Sequence, residues 1–324
     1  MTYAFTMRPF ATALSMSLQY LQRLWKAAHE EKISALVSKE ATHDLSSLNL
    51  IVGKQIGKGD GGTVHKGHLN DKPVAIKVLT DIVDYQTESK MMQALQDISS
   101  PHIVKYYGHR KAPTRSTYYL VMEYFQQGSV SSLLHSYKST SMLLPLASCY
   151  KILEGTAKGM FDMHKEKIAH SDLKWNNVML ADDDQVKLID FGLSAYVSKE
   201  LRPYLFANHD LNVDISCFGA MIKEIVNHTP EEKEHDAGRQ ELLDLADACK
   251  TPETAGVTAE KICQRLHETA ERYASSNRNR FFNEKSENAT TSSVNANIPE
   301  VIISLPMDTL ESKPASDNLI FNMV

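Results

Sequence analysis

A chain of 324 residues has room for one large domain or two ordinary ones, with a core large enough to be stable. Its 42% hydrophobic and 23% charged residues are those of an ordinary globular protein, and a net charge of -5 speaks against nucleic acid as the main partner. Cys149, Cys217, Cys249 and Cys263 are too scattered for a disulfide framework or a zinc site and favour a reducing compartment, and no apolar run is long enough to span a bilayer.

Residues 1–49 form an extension with no acidic residue before Glu30 and with Arg8, Arg23 and Lys26. Phe10, Leu14, Leu18, Leu21 and Trp25 recur at helical spacing, which predicts an amphipathic helix. Such a helix packs on the rest of the chain or on a partner. Being basic and poor in acids, it suits, as a second reading, a membrane surface or an organelle address. Plain disorder is the third reading.

The remaining periodic segments and the motifs fall within about residues 50–273. Leu48 to Val52 predicts a strand leading towards Ile56, Gly57, Lys58, Gly59, Asp60, Gly61, Gly62, Thr63 and Val64, and His65 to Leu69 predicts the returning strand. Glycines at 57, 59 and 62 let the backbone approach an anionic phosphate and aim N–H groups at it. A dinucleotide fingerprint needs a helix directly after the glycines, and here a strand follows. Taken alone, the stretch reads equally well as a plain Gly-rich turn. Val74-Ala75-Ile76-Lys77 predicts a buried strand ending in an ammonium. Met92 and Leu95 mark the inward face of a helix predicted over 85–95, from which Glu88 could pair with Lys77. Either charge by itself would be read as solvated.

Further on, His170-Ser171-Asp172-Leu173-Lys174-Trp175-Asn176-Asn177 precedes the apolar Val178-Met179-Leu180. After Asp182-Asp183-Asp184 comes Val186-Lys187-Leu188-Ile189-Asp190-Phe191-Gly192. Two short strands joined by a tight turn place Asp172, Asn177 and Asp190 at one end of a hairpin. Two carboxylates and an amide oxygen are hard ligands, suited to a Mg²⁺ that also binds phosphate. An isolated aspartate would be an ordinary turn former. The order of these residues, downstream of the glycine stretch and Val-Ala-Ile-Lys, carries the assignment.

As a set, these segments resemble the protein-kinase signatures G-x-G-x-x-G-x-V, V-A-I-K, H-R-D-L-x-x-x-N and D-F-G. Ile103 to Gly108 is similar to the strand after the regulatory helix, Leu120 to Tyr124 to the hinge, and Asp214 to Gly219 to the start of the large lobe's central helix. The resemblance implies an α+β, two-lobed fold with a small β-rich N-lobe over about 50–124 and a larger helical C-lobe over about 125–273. It implies that Ile56 to Val64 cover the phosphates of ATP, that Val64 and Ala75 enclose adenine, and that Met122 and Glu123 belong to the hinge, Met122 as gatekeeper. Lys77, paired with Glu88, would hold the phosphates. Asn177 and Asp190 would bind Mg²⁺, and Asp172 would take the proton of the attacking hydroxyl. Lys174 is the residue expected of Ser/Thr-type enzymes, so the expected acceptor is a protein hydroxyl.

Some positions depart from the family. Ser171 replaces the arginine of His-Arg-Asp. The segment between Asp190 and Asp214 is short, lacks threonine and has no Ala-Pro-Glu. The arginine that pairs with the glutamate of that motif is not evident near Pro252 to Thr258. Both partners of each interaction are missing together, which implies constitutive activity, or activation by a partner, without loop phosphorylation. A nucleotide-binding scaffold without turnover is the non-enzymatic alternative, opposed by the presence of Lys77, Glu88, Asp172, Asn177 and Asp190. A small-molecule kinase is the other, since His-Ser-Asp resembles the His-Gly-Asp of antibiotic and choline kinases; Lys174 and the complete glycine motif oppose it. Residues 274–324 turn to Ser, Asn, Thr and Glu and predict a disordered tail containing one apolar stretch, Val301 to Leu305. The expected location is cytoplasmic, or the host cytosol if the chain is a secreted bacterial effector.

Overall fold

The computed structural model describes residues 43–287 apart from 60, 113–115, 182–184, 198–209 and 232–235, and only the backbone of 236 and 274–287. The helix expected over Phe10 to Trp25 and the apolar stretch Val301 to Leu305 lie outside the described residues. Two compact units emerge. One holds the described residues up to Asp97 together with Lys105–Glu123, and the other holds Ile98–Val104 and the described residues from Tyr124 onward.

The first unit is an antiparallel sheet with one helix. Strands β1 (Leu50–Gly59), β2 (Gly62–Leu69), β3 (Lys72–Leu79), β4 (Tyr106–Lys111) and β5 (Tyr118–Glu123) stand in the order β1-β2-β3-β5-β4. Asn70 and Asp71, at φ 45° and 67°, turn β2 into β3 through left-handed conformations that these side chains tolerate. Alternation along β3 and β5 buries Val74, Ile76 and Val121 on one face, where Leu45 joins them. Helix α1 (Ile82–Asp97) starts at Asp81, whose carboxylate accepts from the N–H groups of Val83 at 2.8 Å and Asp84 at 3.2 Å. Its buried face comprises Thr87, Glu88, Met91, Met92 and Leu95.

The second unit is mainly helical: α2 (Val130–Ser139), α3 (Leu146–Lys165), α4 (Leu211–Val226), α5 (Asp236–Ala248), the short α6 (Pro252–Ala255) and α7 (Ala259–Glu287). Its small strands are β6 (Ile168–Ala169), which pairs with β9 (Ala195–Tyr196), and β7 (Val178–Leu180), which pairs with β8 (Val186–Leu188). Cys149, Ile152, Leu153, Ala157, Met160 and Met163 recur at helical spacing and form the wholly buried side of α3. All four cysteines are free. None of the described helices is long and apolar enough to cross a membrane.

The expected α+β division into a β-rich part and a helical part is found, with altered borders. Ile98–Val104 belongs to the helical unit, because Val104 N–H donates to Leu188 O at 3.0 Å and Leu188 N–H donates to His102 O at 2.9 Å. The sheet unit starts before residue 50, since Leu45 is only 6% exposed and packs in its core. Helix α7 continues past 273, where the polar tail was expected, to Glu287, and the remainder of that tail lies outside the described residues. A helix anchored by buried Ile262 and Leu266 propagates at one backbone hydrogen bond per added residue, which composition alone does not reveal.

The end of α4 is held by Arg239 of α5, whose guanidinium donates to Pro230 O at 3.2 Å and Val226 O at 3.4 Å. Arg239→Ala should lower the unfolding free energy by about 2 kcal/mol in urea titrations, the scale of charge-assisted hydrogen bonds at a largely buried site.

Candidate active site

In the first unit, β1 and β2 extend further into the glycine stretch than the sequence predicts. They pair as far as Gly59 and Gly62, leaving a two-residue tip. Asp60 lies outside the described residues. Gly62 has φ 153°, and a Cβ there would collide with the Val78 carbonyl, so glycine alone closes this hairpin onto β3. A Cβ on Gly61 would lie 3.8 Å from Lys77 Nζ, which puts the hairpin tip beside that amine. Lys77 Nζ is 2.8 Å from Glu88 Oε1, and the two side chains are 12% and 4% exposed. The expected pair between β3 and α1 is therefore made, in surroundings dry enough to fix the amine's position.

Register places Val64 opposite Lys77 and Ala75 opposite Met122. Ile56 and Lys58 are exposed, Thr63 and Val64 half-buried, and Ala75 and Met122 buried. Glu123 pairs with Lys105 through its N–H at 2.9 Å to Lys105 O, and its carboxylate accepts from Lys105 N–H at 3.2 Å.

In the second unit the loop holding Asp172 connects β6 to β7. Asn177 donates from Nδ2 to both Asp172 O and Asp172 Oδ2, each at 2.8 Å. Lys174 Nζ lies 3.1 Å from the same Oδ2. Both contacts fall on Oδ2, so Oδ1 is the oxygen left to receive a proton. Asn177 is wholly buried, and its Oδ1 has no hydrogen-bond partner among the described residues. An amide with its nitrogen committed and its oxygen orphaned is a ready metal ligand.

His170 ties this loop to the residue before Asp190. Its Nε2 donates to Ile189 O at 3.1 Å, and its Nδ1 accepts from Asp172 N–H at 3.4 Å, a pattern that assigns the neutral Nε2–H tautomer. Ile189 N–H donates to Asn177 O at 3.0 Å, so the residue preceding Asp190 is held from two sides. Asp190 sits at φ 64°, a left-handed conformation that aspartate accepts better than most residues.

Sequence reasoning did not assign a site role to Asp214. Its carboxylate, 1% exposed in the first turn of α4, accepts from His170 N–H at 2.7 Å, Ser171 N–H at 2.9 Å and His164 Nε2 at 2.9 Å. Ser171 is at φ 66°, and the Asp214 bond holds it in this uncommon conformation. The available signal was an acid preceding the buried Ile215, Phe218, Met221 and Ile222 of an otherwise apolar helix. Cys217 on the same helix has its thiol pKa raised, first by burial and then by the charges of Asp214 and Asp172. It remains a neutral thiol beside the loop and is no candidate nucleophile.

The fold thus gathers Lys77, Glu88 and the glycine hairpin in one unit, and Asp172, Lys174, Asn177 and Asp190 on one loop and hairpin of the other. No group of three or more His, Cys, Asp or Glu fit to hold a metal occurs among the described residues. A divalent ion would therefore draw on Asn177 Oδ1 and the Asp190 carboxylate and complete its shell with phosphate and water, as Mg²⁺ does.

The sequence model of a protein kinase domain matches residues 50–254. A dual specificity protein kinase, shkB, of Dictyostelium discoideum is 30% identical over 195 residues, 53% of this chain and 29% of that protein. An EPD1-interacting receptor-like cytoplasmic serine/threonine-protein kinase of Nicotiana benthamiana is 29% identical over 239 residues, 64% of this chain and 50% of that one. The serine/threonine-protein kinase mig-15 of Caenorhabditis elegans is 32% identical over 173 residues, 48% of this chain and 15% of that one. The chain spans half or less of the length of these relatives.

Asp214→Ala leaves buried donors of His164, His170 and Ser171 without their acceptor. It should cost about 3 kcal/mol of stability in denaturant titrations, on the scale of buried donors left unsatisfied.

Proposed function

Because this chain belongs to the protein kinase family, we propose that it transfers the γ-phosphate of ATP to a serine or threonine hydroxyl of a protein, using Mg²⁺. The observation that carries this reading is the arrangement around Asp172. Its Oδ2 is engaged by Asn177 and Lys174, its Oδ1 is available, and the orphaned Asn177 Oδ1 lies on the same loop.

In this reading the acceptor hydroxyl passes its proton to Asp172 Oδ1 as its oxygen bonds to the γ-phosphorus, and ADP departs with the electrons of the broken P–O bond. Lys174, 3.1 Å from the Asp172 carboxylate, neutralises charge on the transferring phosphate. Lys77, held by Glu88, orients the other phosphates, and the glycine hairpin beside it offers backbone N–H groups. Asn177 and Asp190 would hold the ion. When bound, Mg²⁺ supplies the positive charge that offsets the phosphate oxygens. Serine/threonine specificity is supported by Lys174 and by two relatives that are serine/threonine-protein kinases.

Regulation is read from Ser171. With no arginine there to meet a phosphorylated residue, and no threonine between Asp190 and Asp214, the enzyme works without activation-loop phosphorylation. The catalytic loop has an internal substitute, since Asp214 already holds Ser171 N–H.

Radiolabelled ATP offered with a protein extract and, separately, with a metabolite pool should label protein serine and threonine, in the presence of Mg²⁺ but not EDTA. Label confined to metabolites would assign a small-molecule acceptor instead. Asp172→Ala should lower turnover by ~10²–10⁴, and Asp190→Ala by more, because a metal ligand is lost. Equal turnover in wild type and Asp172→Ala would show a nucleotide-binding scaffold. Phosphatase treatment should leave the wild-type rate unchanged, and a large loss would refute control without loop phosphorylation.

A further inference from the structure

The exposed edge of β4 is covered by the chain's own residues 43–45. His109 N–H donates to His43 O at 2.7 Å and Leu45 N–H donates to His109 O at 2.9 Å, forming a parallel bridge between Asp44 and His109. Strand β4 is shaped for this visitor. Its register breaks between Tyr106 and Gly108, and Gly108 adopts φ 144°. A Cβ at Gly108 would collide with the His43 carbonyl and come within 3.0 Å of Leu45 Cγ. The bulge and the missing side chain together form a seat for this segment.

From the seat a continuous set of ring contacts leads to α1. His43 stacks on Tyr106 with centroids 5.5 Å apart, and the Tyr106 hydroxyl is hydrogen-bonded to His109 Nδ1 at 3.0 Å. His109 meets Tyr85 edge-on at 5.8 Å, and Tyr85 stacks on Tyr118 of β5 at 4.4 Å. Tyr85 lies in the first turn of α1, three positions before Glu88 and on a neighbouring face. At the other end of the helix, Gln96 Oε1 accepts from Tyr106 N–H at 3.1 Å. Burial chiefly, and then the charges of Tyr85 and Glu88, raise the Tyr106 phenol pKa.

We propose that His43–Leu45 is a positioning strap for the Lys77–Glu88 pair: by filling the Gly108 seat it fixes His109 and Tyr106, and through Tyr85 it sets α1 against the sheet. This rests on the reading of Lys77 and Glu88 as part of the phosphate site. A strap that only hid a strand edge would protect β4 and stop there. The ring contacts carry its influence on to the helix bearing Glu88.

Hydrogen exchange on the full-length chain tests this without relying on catalysis. Gly108→Val should unseat the strap, raising exchange at the Leu45 and His109 amides and at least tenfold along α1 around Glu88, with α4 unaffected. It should also lower kcat/KM for ATP at least tenfold. Tyr85→Leu should loosen α1 equally while the Leu45 amide stays protected, and Tyr85→Phe should match wild type. If Gly108→Val does not fold, Tyr85→Leu decides. Unchanged α1 exchange with Tyr85→Leu, or with a released Leu45 amide in Gly108→Val, would overturn the strap. A wild-type chain without phosphoryl transfer would sink the enzymatic reading alone, since the exchange result stands apart from it.

Discussion

A carboxylate taken out of water must find donors to replace its hydration, and Asp214 finds three, in His164, His170 and Ser171. It also sits in the first turn of α4, where the helix dipole favours negative charge. These two conditions convert a costly burial into an anchor. The anchored backbone leads directly into Asp172, and the same loop returns through Asn177 to the Asp172 carboxylate. His170, whose N–H is fixed by Asp214, reaches Ile189 with its ring and so aligns the chain entering Asp190. Asp172 and both expected metal ligands of the second unit thus depend on one buried group, Asp214.

That dependence explains how uncommon backbone conformations persist here. Ser171 and Asp190 both have φ in the left-handed region, at 66° and 64°. Each such residue costs of order 1–3 kcal/mol, so the surroundings must over-determine it. Asp214 does this for Ser171, and the paired hydrogen bonds of Ile189 do it for the chain entering Asp190. The sheet unit solves a parallel problem differently. Lys77 is placed by β3 register and then held by Glu88, an ion pair that only a correctly docked α1 can make. Removing either partner would strand a charge in a nearly dry site, which is why the docking of α1 matters beyond its own stability.

Ser171 shows how a departure from the family can be absorbed. The hydrogen bond that fixes this position uses the backbone N–H, which any residue other than proline supplies. That hydrogen bond is therefore independent of the side chain, although the left-handed φ of 66° still disfavours β-branched residues here. What the serine removes is the positive charge that an arginine would carry at this position.

Much of this protein is local and therefore readable from its sequence. The glycine stretch, Val-Ala-Ile-Lys, the loop holding Asp172 and the Asp190 hairpin each depend on neighbours a few residues away, so their order and spacing identify the family and propose the acids, amide and lysines of a site. Short apolar runs and the helical recurrence of Met92 and Leu95 foretell the elements that carry them, because burial selects apolar side chains where an element meets the core. The tertiary structure alone decided the rest. Asp214 serves His164 across 50 positions of sequence, Leu45 joins the core of β3 and β5 despite preceding the predicted domain, and Ile98–Val104 sides with the helical unit through pairing with β8. These outcomes turn on which distant donor, edge or cavity is present when the chain closes on itself, and such partners leave no periodic trace in the residues that meet them.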